Sequence, residues 1–344
     1  MDFIIMNRDN IAAEYIGEKL KIINKNMTPL QLVFSDNVEK WLETRAIDSH
    51  RANSRLLKKA LRLTDKDDIS TVISVNAATI TDTYWIKPLG SDLTYSDVRF
   101  DNDYFSNLAL TGGYDSFNKA ANSKRSRTPE LTNIGSYEKC WKLRGGEWWM
   151  YKKANHEEMF SELFIYKLGM RLGFNMAHYE RGRGVIKTKD FTDNASVNFE
   201  SAYSFMGDNE DYIDTVKNLN KLCPDCIDDY VRMIFLDTIC ANPDRHTLNY
   251  GVLRNPENGK IIGLAPNFDN NMALIARGYP KNIARKKDML VRLFNELMEY
   301  DKALKQYIPN ITEDIINATL DELSMRVKSK VIMKFIMNGY NQIK

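Results

Sequence analysis

The run Asn242-Pro243-Asp244-Arg245-His246-Thr247-Leu248-Asn249 limits the fold more than any other stretch of this chain. An apolar helical segment leads into it, from about Tyr230 to Cys240. A strand-like run follows, Tyr250-Gly251-Val252-Leu253, and then the turn Asn255-Pro256-Glu257-Asn258-Gly259. Asn-Gly supplies the positive φ angles of a tight hairpin. A second strand, Lys260 to Leu264, ends in Pro266-Asn267-Phe268-Asp269-Asn270. Asn, Pro and Asp favour turns, so Asp244 and Asn249 five residues apart are by themselves compatible with a plain loop. The hairpin and the Phe268-Asp269 pair beyond it predict more: a helix end and a short hairpin that bring two polar loops to one cleft.

That order suits phosphoryl transfer. A triphosphate carries close to four negative charges, and charge spreads over the transferred group. Divalent cations with hard oxygen ligands offset it, which an Asn carbonyl and an Asp carboxylate supply. The expected roles are Asp244 as base for the attacking hydroxyl, with Asn249 and Asp269 as metal ligands. Arg245 is expected to pair with a carboxylate or a phosphate. His246 has two readings, a place beside the nucleotide or packing and hydrogen bonding within its own loop.

At 344 residues the chain has room for about two lobes, and 43% hydrophobic content supports a sizeable core. Its 48 Lys and Arg nearly balance 46 Asp and Glu, so a nucleic-acid partner is not indicated. No apolar run is long enough for a transmembrane helix, and the first residues lack the basic region of a signal peptide. No membrane association and a cytoplasmic location are expected. Cys223-Pro224-Asp225-Cys226 is a C-x-x-C that fits half a zinc site or a redox pair. With no second pair to complete it, reduced thiols are the expectation.

Residues 1–110 read as an N-terminal extension. Its first 70 residues are expected to be mainly helix and loop, with an apolar run at Leu30 to Phe34, a helix from Val38 capped by Asp36, and a basic helix between Arg45 and Leu63. Residues 71–110 show no clean period and are expected as an irregular cap on the next lobe. Residues 111–130, rich in Gly, Ser, Asn, Lys and Arg, read as a linker or mobile loop. Residues 131–200 read as a β-rich small lobe, with strands at 131–134, 138–143, 147–152, 176–181 and 184–189 and a helix from His156 to Phe174. Residues 201–344 read as a helical large lobe, with later helices at Met289–Met298, Ala303–Ile308, Glu313–Leu323 (capped by Thr312) and Val327–Met337.

In a small lobe of this kind the third strand carries a Lys for the α- and β-phosphates, and a Glu on the helix holds it. Lys152 is the chosen Lys, since Lys153 points to the other strand face. Glu162 is the chosen carboxylate, with Glu158 as runner-up. The turn Gly135-Ser136-Tyr137-Glu138-Lys139 would cover the phosphates, with Gly135, Ser136 and Lys139 as contacts; a plain hairpin turn is its other reading.

Taken together, Lys152, Asp244-Arg245-His246, Asn249 and Asp269 resemble the HipA-like family of bacterial Ser/Thr kinases, including its short members similar to the Helicobacter proinflammatory kinase. The Asp-Arg-His form is also similar to the catalytic loop of phosphatidylinositol kinases. The resemblance implies an α+β, protein-kinase-like two-lobe fold with an N-terminal subdomain, ATP and Mg²⁺ as cofactors, a protein substrate, and an antitoxin-like regulator as partner. The family's phosphate-loop motif matches Gly135, Glu138 and Lys139, but its autophosphorylated Ser is replaced here by Ile134. Ser136, Thr132 and the linker are the alternative autophosphorylation sites. A small-molecule or phosphoinositide-type lipid kinase, and a non-catalytic pseudokinase-type binding module, are the two rival readings.

Overall fold

The computed structural model describes residues 2–48, 50–64, 66–113 and 127–343. Most of the expected linker, residues 114–126, lies outside them. The fold is α+β. Its strands are β1 (Phe3–Asn7), β2 (Asn10–Ile16), β3 (Lys19–Ile22), β4 (Tyr84–Pro88), β5 (Lys139–Arg144), β6 (Glu147–Lys153), β7 (Tyr179–Arg181), β8 (Val185–Lys189), β9 (Asn198–Ser201), β10 (Gly251–Arg254) and β11 (Ile261–Leu264). They form sheets of order β3-β2-β1-β4, β5-β6-β8-β7 and β11-β10-β9. Among the described residues, six short α-helices precede β5: α1 (Leu30–Ser35), α2 (Val38–Glu43), α3 (Ser54–Ala60), α4 (Asp68–Ile73), α5 (Tyr95–Val98) and α6 (Ser106–Thr111). The later helices are α7 (His156–Arg171), α8 (Tyr203–Met206), α9 (Tyr212–Leu222), α10 (Ile227–Cys240), α11 (Met289–Tyr300), α12 (Glu313–Leu323) and α13 (Ser329–Tyr340). No helix among the described residues is long and apolar enough to cross a membrane.

Two compact units divide the chain. The first comprises Met1–Lys153, Lys187–Glu200 and Leu253–Ile261; the second comprises Ala154–Ile186, Ser201–Val252 and Ile262–Lys344. Residues 131–200, expected together as a small lobe, are shared between them.

In the first unit, the reading of residues 1–70 as mainly helix is corrected. They open with the antiparallel strands β1, β2 and β3. Arg8 and Gly17 take positive φ at the two turns. Burial of Phe3, Ile5, Ala13 and Ile86 against Leu32, Trp41 and Leu42 fixes which sheet face points inward. The 71–110 segment is also more regular than expected, because β4 pairs with β1 throughout. Asp36 is not the cap of α2. It ends α1 in the left-handed region, and Asn37 caps α2 by accepting from the Lys40 N–H at 2.8 Å. The strand expected at 131–134 is instead a 3-10 turn, Pro129–Thr132, started by Pro129 in its first turn and by the Thr128 side chain, which accepts from the Glu130 N–H.

The Asn-Gly hairpin between β10 and β11 forms as the sequence predicts. The Asn255 N–H donates to the Lys260 carbonyl, and Gly259 sits at φ 70°. A Cβ on Gly259 would lie 2.0 Å from the Asn26 carbonyl oxygen, so only glycine fits. Arg254 then donates to Glu200 at 2.9 Å and to the Thr28 carbonyl at 2.7 Å, and Tyr84 donates to Glu200 at 2.8 Å. This buried cluster fastens the N-terminal sheet to Glu200 of β9 and Arg254 of β10.

In the second unit, α7 begins in a capping box: Asn155 and Glu158 each accept from the other's N–H at 2.9 Å. Helix α7 stops at Arg171, three residues before the expected end, where Gly173 turns left-handed. Thr312 caps α12 as read from sequence, accepting from the Ile315 N–H at 3.3 Å. The stretch expected as a helix at Ala303–Ile308 is a 3-10 helix, Lys302–Tyr307.

Candidate active site

The second unit brings Asp244, Asn249, Asp269 and Glu162 into one hydrogen-bonded network. In the last two turns of α10, Met233 to Cys240, Asp237 is the one charged residue, and it is fully buried on the face it shares with Tyr230, Met233 and Ile234. A buried carboxylate requires partners. Asp237 has two, which make three bonds: Arg245 Nε donates to Oδ2 at 2.7 Å, Arg245 Nη2 to Oδ1 at 3.0 Å, and Asn242 Nδ2 to Oδ1 at 2.8 Å. The helix ends at Ala241 in the left-handed region, and the Asn242 N–H turns back to the Asp237 carbonyl at 2.8 Å. One acidic side chain thus fixes both the end of α10 and the start of the loop.

Arg245 ties that loop to the next. Its Nη1 donates to the carbonyls of Asn249 and Phe268, both at 2.7 Å. Its Nη2 also donates to Asn267 Oδ1 at 2.9 Å and Asn270 Oδ1 at 2.7 Å. All five guanidinium N–H groups therefore have acceptors. Burial works against the charge of Arg245, but Asp237, with Asp269 and Glu162 beyond it, holds its pKa above the usual value. Of the two partners expected for Arg245, the structure supplies the carboxylate.

Asp244 is half-buried, and its N–H donates to Asn242 Oδ1 at 3.2 Å. Its carboxylate accepts no hydrogen bond from the described residues. Asn249 is buried, and its Nδ2 donates to the Asp244 carbonyl at 2.9 Å. That bond fixes the amide orientation and turns Oδ1 the other way, where no described residue bonds to it. Asp269 takes φ 59°, unusual for a residue with a Cβ, and its N–H donates to the Tyr179 hydroxyl at 3.0 Å. Burial first, then Glu162 and Asp269, push the Tyr179 phenol well above its ordinary range and keep it protonated. His246 Nδ1 accepts from the Leu248 N–H at 3.3 Å, a bond within its own loop.

Glu162 is buried in the middle of α7. Its Oε1 accepts from the Asn270 N–H at 2.8 Å and from Asn270 Nδ2 at 3.2 Å. Glu158 belongs to the capping box of the same helix.

The first unit holds the other expected residues. Lys152 is buried on β6 and Lys153 is exposed, the alternation that a strand requires. Lys152 Nζ lies 4.4 Å from the centre of the Tyr137 ring. Lys139 faces Lys152 across the β5–β6 ladder. Gly135 takes φ 98° and Ser136 is exposed. The turn is held from below by Arg51, which donates to the Gly135 carbonyl from Nε at 3.2 Å and from Nη2 at 2.9 Å, and also to the Asn133 carbonyl. Glu138 accepts from the Asn53 N–H at 3.3 Å and from its side-chain amide. Thr132 is buried, with its hydroxyl on the Ala78 carbonyl at 2.7 Å.

Asp237, Asn242, Asn270, Tyr179 and Arg51 were not singled out from sequence. Only Asp237 leaves a clear trace there, as an acid inside an apolar helical run. The others act through backbone groups or across distant segments, which spacing does not reveal.

Mg²⁺ typically takes one or two protein oxygen ligands and completes its shell with phosphate and water. No cluster of three or more His, Cys, Asp and Glu that could hold a metal occurs among the described residues. Asn249 Oδ1 and the Asp269 carboxylate are hard oxygen donors of the kind that Mg²⁺ brought in with a nucleotide would take.

No protein-family model and no curated protein matches the chain. Solved structures do. The HipA of Shewanella oneidensis MR-1, from a toxin–antitoxin complex with HipB and operator DNA, aligns over 98% of this chain and 97% of its own, at TM-score 0.53 and 11% identity. The Helicobacter pylori proinflammatory kinase CtkA aligns over 60% of this chain and 90% of its own, at TM-score 0.48 and 16% identity. The chain has the HipA-like kinase fold.

Proposed function

We propose that the chain is an ATP- and Mg²⁺-dependent serine/threonine protein kinase of HipA-like type. The observation that carries this reading is the pairing of Asp244 and Asn249 on one rigid loop, tied by Arg245 to the loop of Asp269. The Asp244 carboxylate takes the proton of the attacking hydroxyl. Asn249 Oδ1 and the Asp269 carboxylate hold Mg²⁺, which offsets the charge of the phosphates when bound. Lys152 supplies the cation for the α- and β-phosphates, while Gly135, Ser136 and Lys139 cover them. Glu162 is the proposed catalytic carboxylate of α7. His246 is the remaining nucleotide-side candidate, and its bond to Leu248 favours a role in loop shape.

A protein substrate and an antitoxin-like regulator complete the proposal. The regulator is supported by the Shewanella HipA having been solved with HipB. Ser136 is the proposed autophosphorylation site, since it is exposed while the Thr132 hydroxyl is buried.

The test is incubation with Mg·ATP labelled at the γ-phosphate, alone and with protein, lipid and sugar acceptors. Label on serine or threonine of this chain or of the protein acceptor supports the proposal. Label on lipid or sugar alone replaces it with the small-molecule reading. Mg·ATP that raises the melting temperature without any transfer replaces it with the binding-module reading.

A further inference from the structure

We infer that Asn270 is a positioning residue that couples Glu162 on α7 to the loop carrying Asp244 and Asn249. The inference rests on the kinase reading, in which Glu162 is a carboxylate of the nucleotide site. Asn270 stands between a cation and an anion. Its Oδ1 accepts from Arg245 Nη2 at 2.7 Å, and its Nδ2 and backbone N–H donate to Glu162 Oε1 at 3.2 and 2.8 Å. The partners fix the orientation of the carboxamide, because its oxygen needs the guanidinium and its nitrogen needs the carboxylate. Beyond Arg245 lie Asp237 and the Asn249 carbonyl. The chain Glu162–Asn270–Arg245 is buried throughout. In a low-dielectric interior such a chain is costly to leave half-made. Displacement of Glu162 strips Asn270 of its acceptor, and displacement of the loop strips it of its donor. Each end therefore favours the formed state of the other.

The test is a double-mutant cycle on the full chain, read as KM for ATP and kcat in Mg·ATP turnover. Asn270→Asp keeps an acceptor for Arg245 but sets a carboxylate against Glu162. In the Glu162→Gln background the introduced glutamine amide can donate to the introduced carboxylate. The expected result is a KM rise of at least about fivefold from N270D in the wild-type background, and of no more than about twofold in the E162Q background. Equal effects in both backgrounds, or a fall in kcat at unchanged KM, overturn the coupling. Should N270D not fold, the same cycle with Asn270→Ser reads the same quantity. Wild-type protein that neither turns over Mg·ATP nor gains melting temperature from it overturns the kinase reading and this role with it. Wild-type turnover with additive variants overturns the coupling alone.

Discussion

Arg245 and Asp237 form a two-bonded ion pair inside the second unit, at 2.7 and 3.0 Å, with side-chain exposures of 2% and 0%. Such a pair need not add net stability, since desolvation offsets much of its attraction, but breaking one half of it is severe. Arg245→Met or Asp237→Leu alone is expected to destabilise the protein by about 3–5 kcal/mol in urea unfolding. The double variant recovers only part of that loss: two apolar groups replace two charges, but the Asn249 and Phe268 carbonyls, Asn267 and Asn270 lose their donor. Phosphoryl transfer does not recover with it, since the bonds from Arg245 to the Asn249 and Phe268 carbonyls are gone. A double variant as active as wild type would show that the pair does not position the loops.

In the proposed mechanism, Asp244 and Asn249 separate binding from chemistry. Asp244→Asn removes the proposed base while keeping the size of the side chain. It is expected to lower kcat by about a hundredfold or more, with Mg·ATP affinity unchanged. Asn249→Ala removes Oδ1 and also the bond to the Asp244 carbonyl. It is expected to weaken Mg²⁺ dependence and kcat together. Titration calorimetry with Mg·ATP and single-turnover transfer check the two, and D244N with full kcat would remove Asp244 from its assigned role.

The two polar loops and the hairpin between them were legible because their signals are local: the Asn-Gly turn, the apolar approach helix and Asp269 just past the second strand. The same holds for α12 and its Thr312 cap. The strands of residues 3–22 were not, although Ala12-Ala13-Glu14-Tyr15-Ile16 can pair as a strand. Their inward face is set by Leu32, Trp41 and Ile86, which lie far along the chain. The site divides the same way. Residues that present side-chain oxygens at fixed spacing stand out in sequence. Arg51 and Asn270, which hold backbone carbonyls or bridge two charges, have no spacing rule to betray them.

Glu130 gives stability a pH dependence. It is fully buried, accepting from the Trp141 N–H at 2.8 Å and Asn133 Nδ2 at 3.1 Å. Burial pushes its pKa from 4.5 up to about 7, outweighing these donors and Arg51. Its folded pKa lies above the unfolded one, so its contribution is full below about 4.5 and is lost as pH rises to about 7. The loss is on the order of 3 kcal/mol. Glu130→Gln is expected to flatten this part of the profile when urea midpoints are compared at several pH values across that window. An unchanged slope in E130Q would assign the pH dependence elsewhere.

Gly135 tests the phosphate-covering turn without touching a charge. Its φ of 98° lies where residues with a Cβ are strained, and an added Cβ would fall 2.6 Å from Lys139 Nζ. The Lys139 side chain can swing aside, so backbone strain is the larger effect and should cost about 1–2 kcal/mol. Arg51 holds the Gly135 carbonyl in place, which prevents the turn from relaxing freely around a new side chain. Gly135→Ala is therefore expected to lower the melting temperature modestly and to raise KM for ATP more than it lowers kcat. In its proposed role the turn acts on the nucleotide in both ground and transition states, and uniform binding of that kind appears in KM. A variant that loses stability but keeps its wild-type KM would make the turn a plain hairpin connection with no part in holding phosphate.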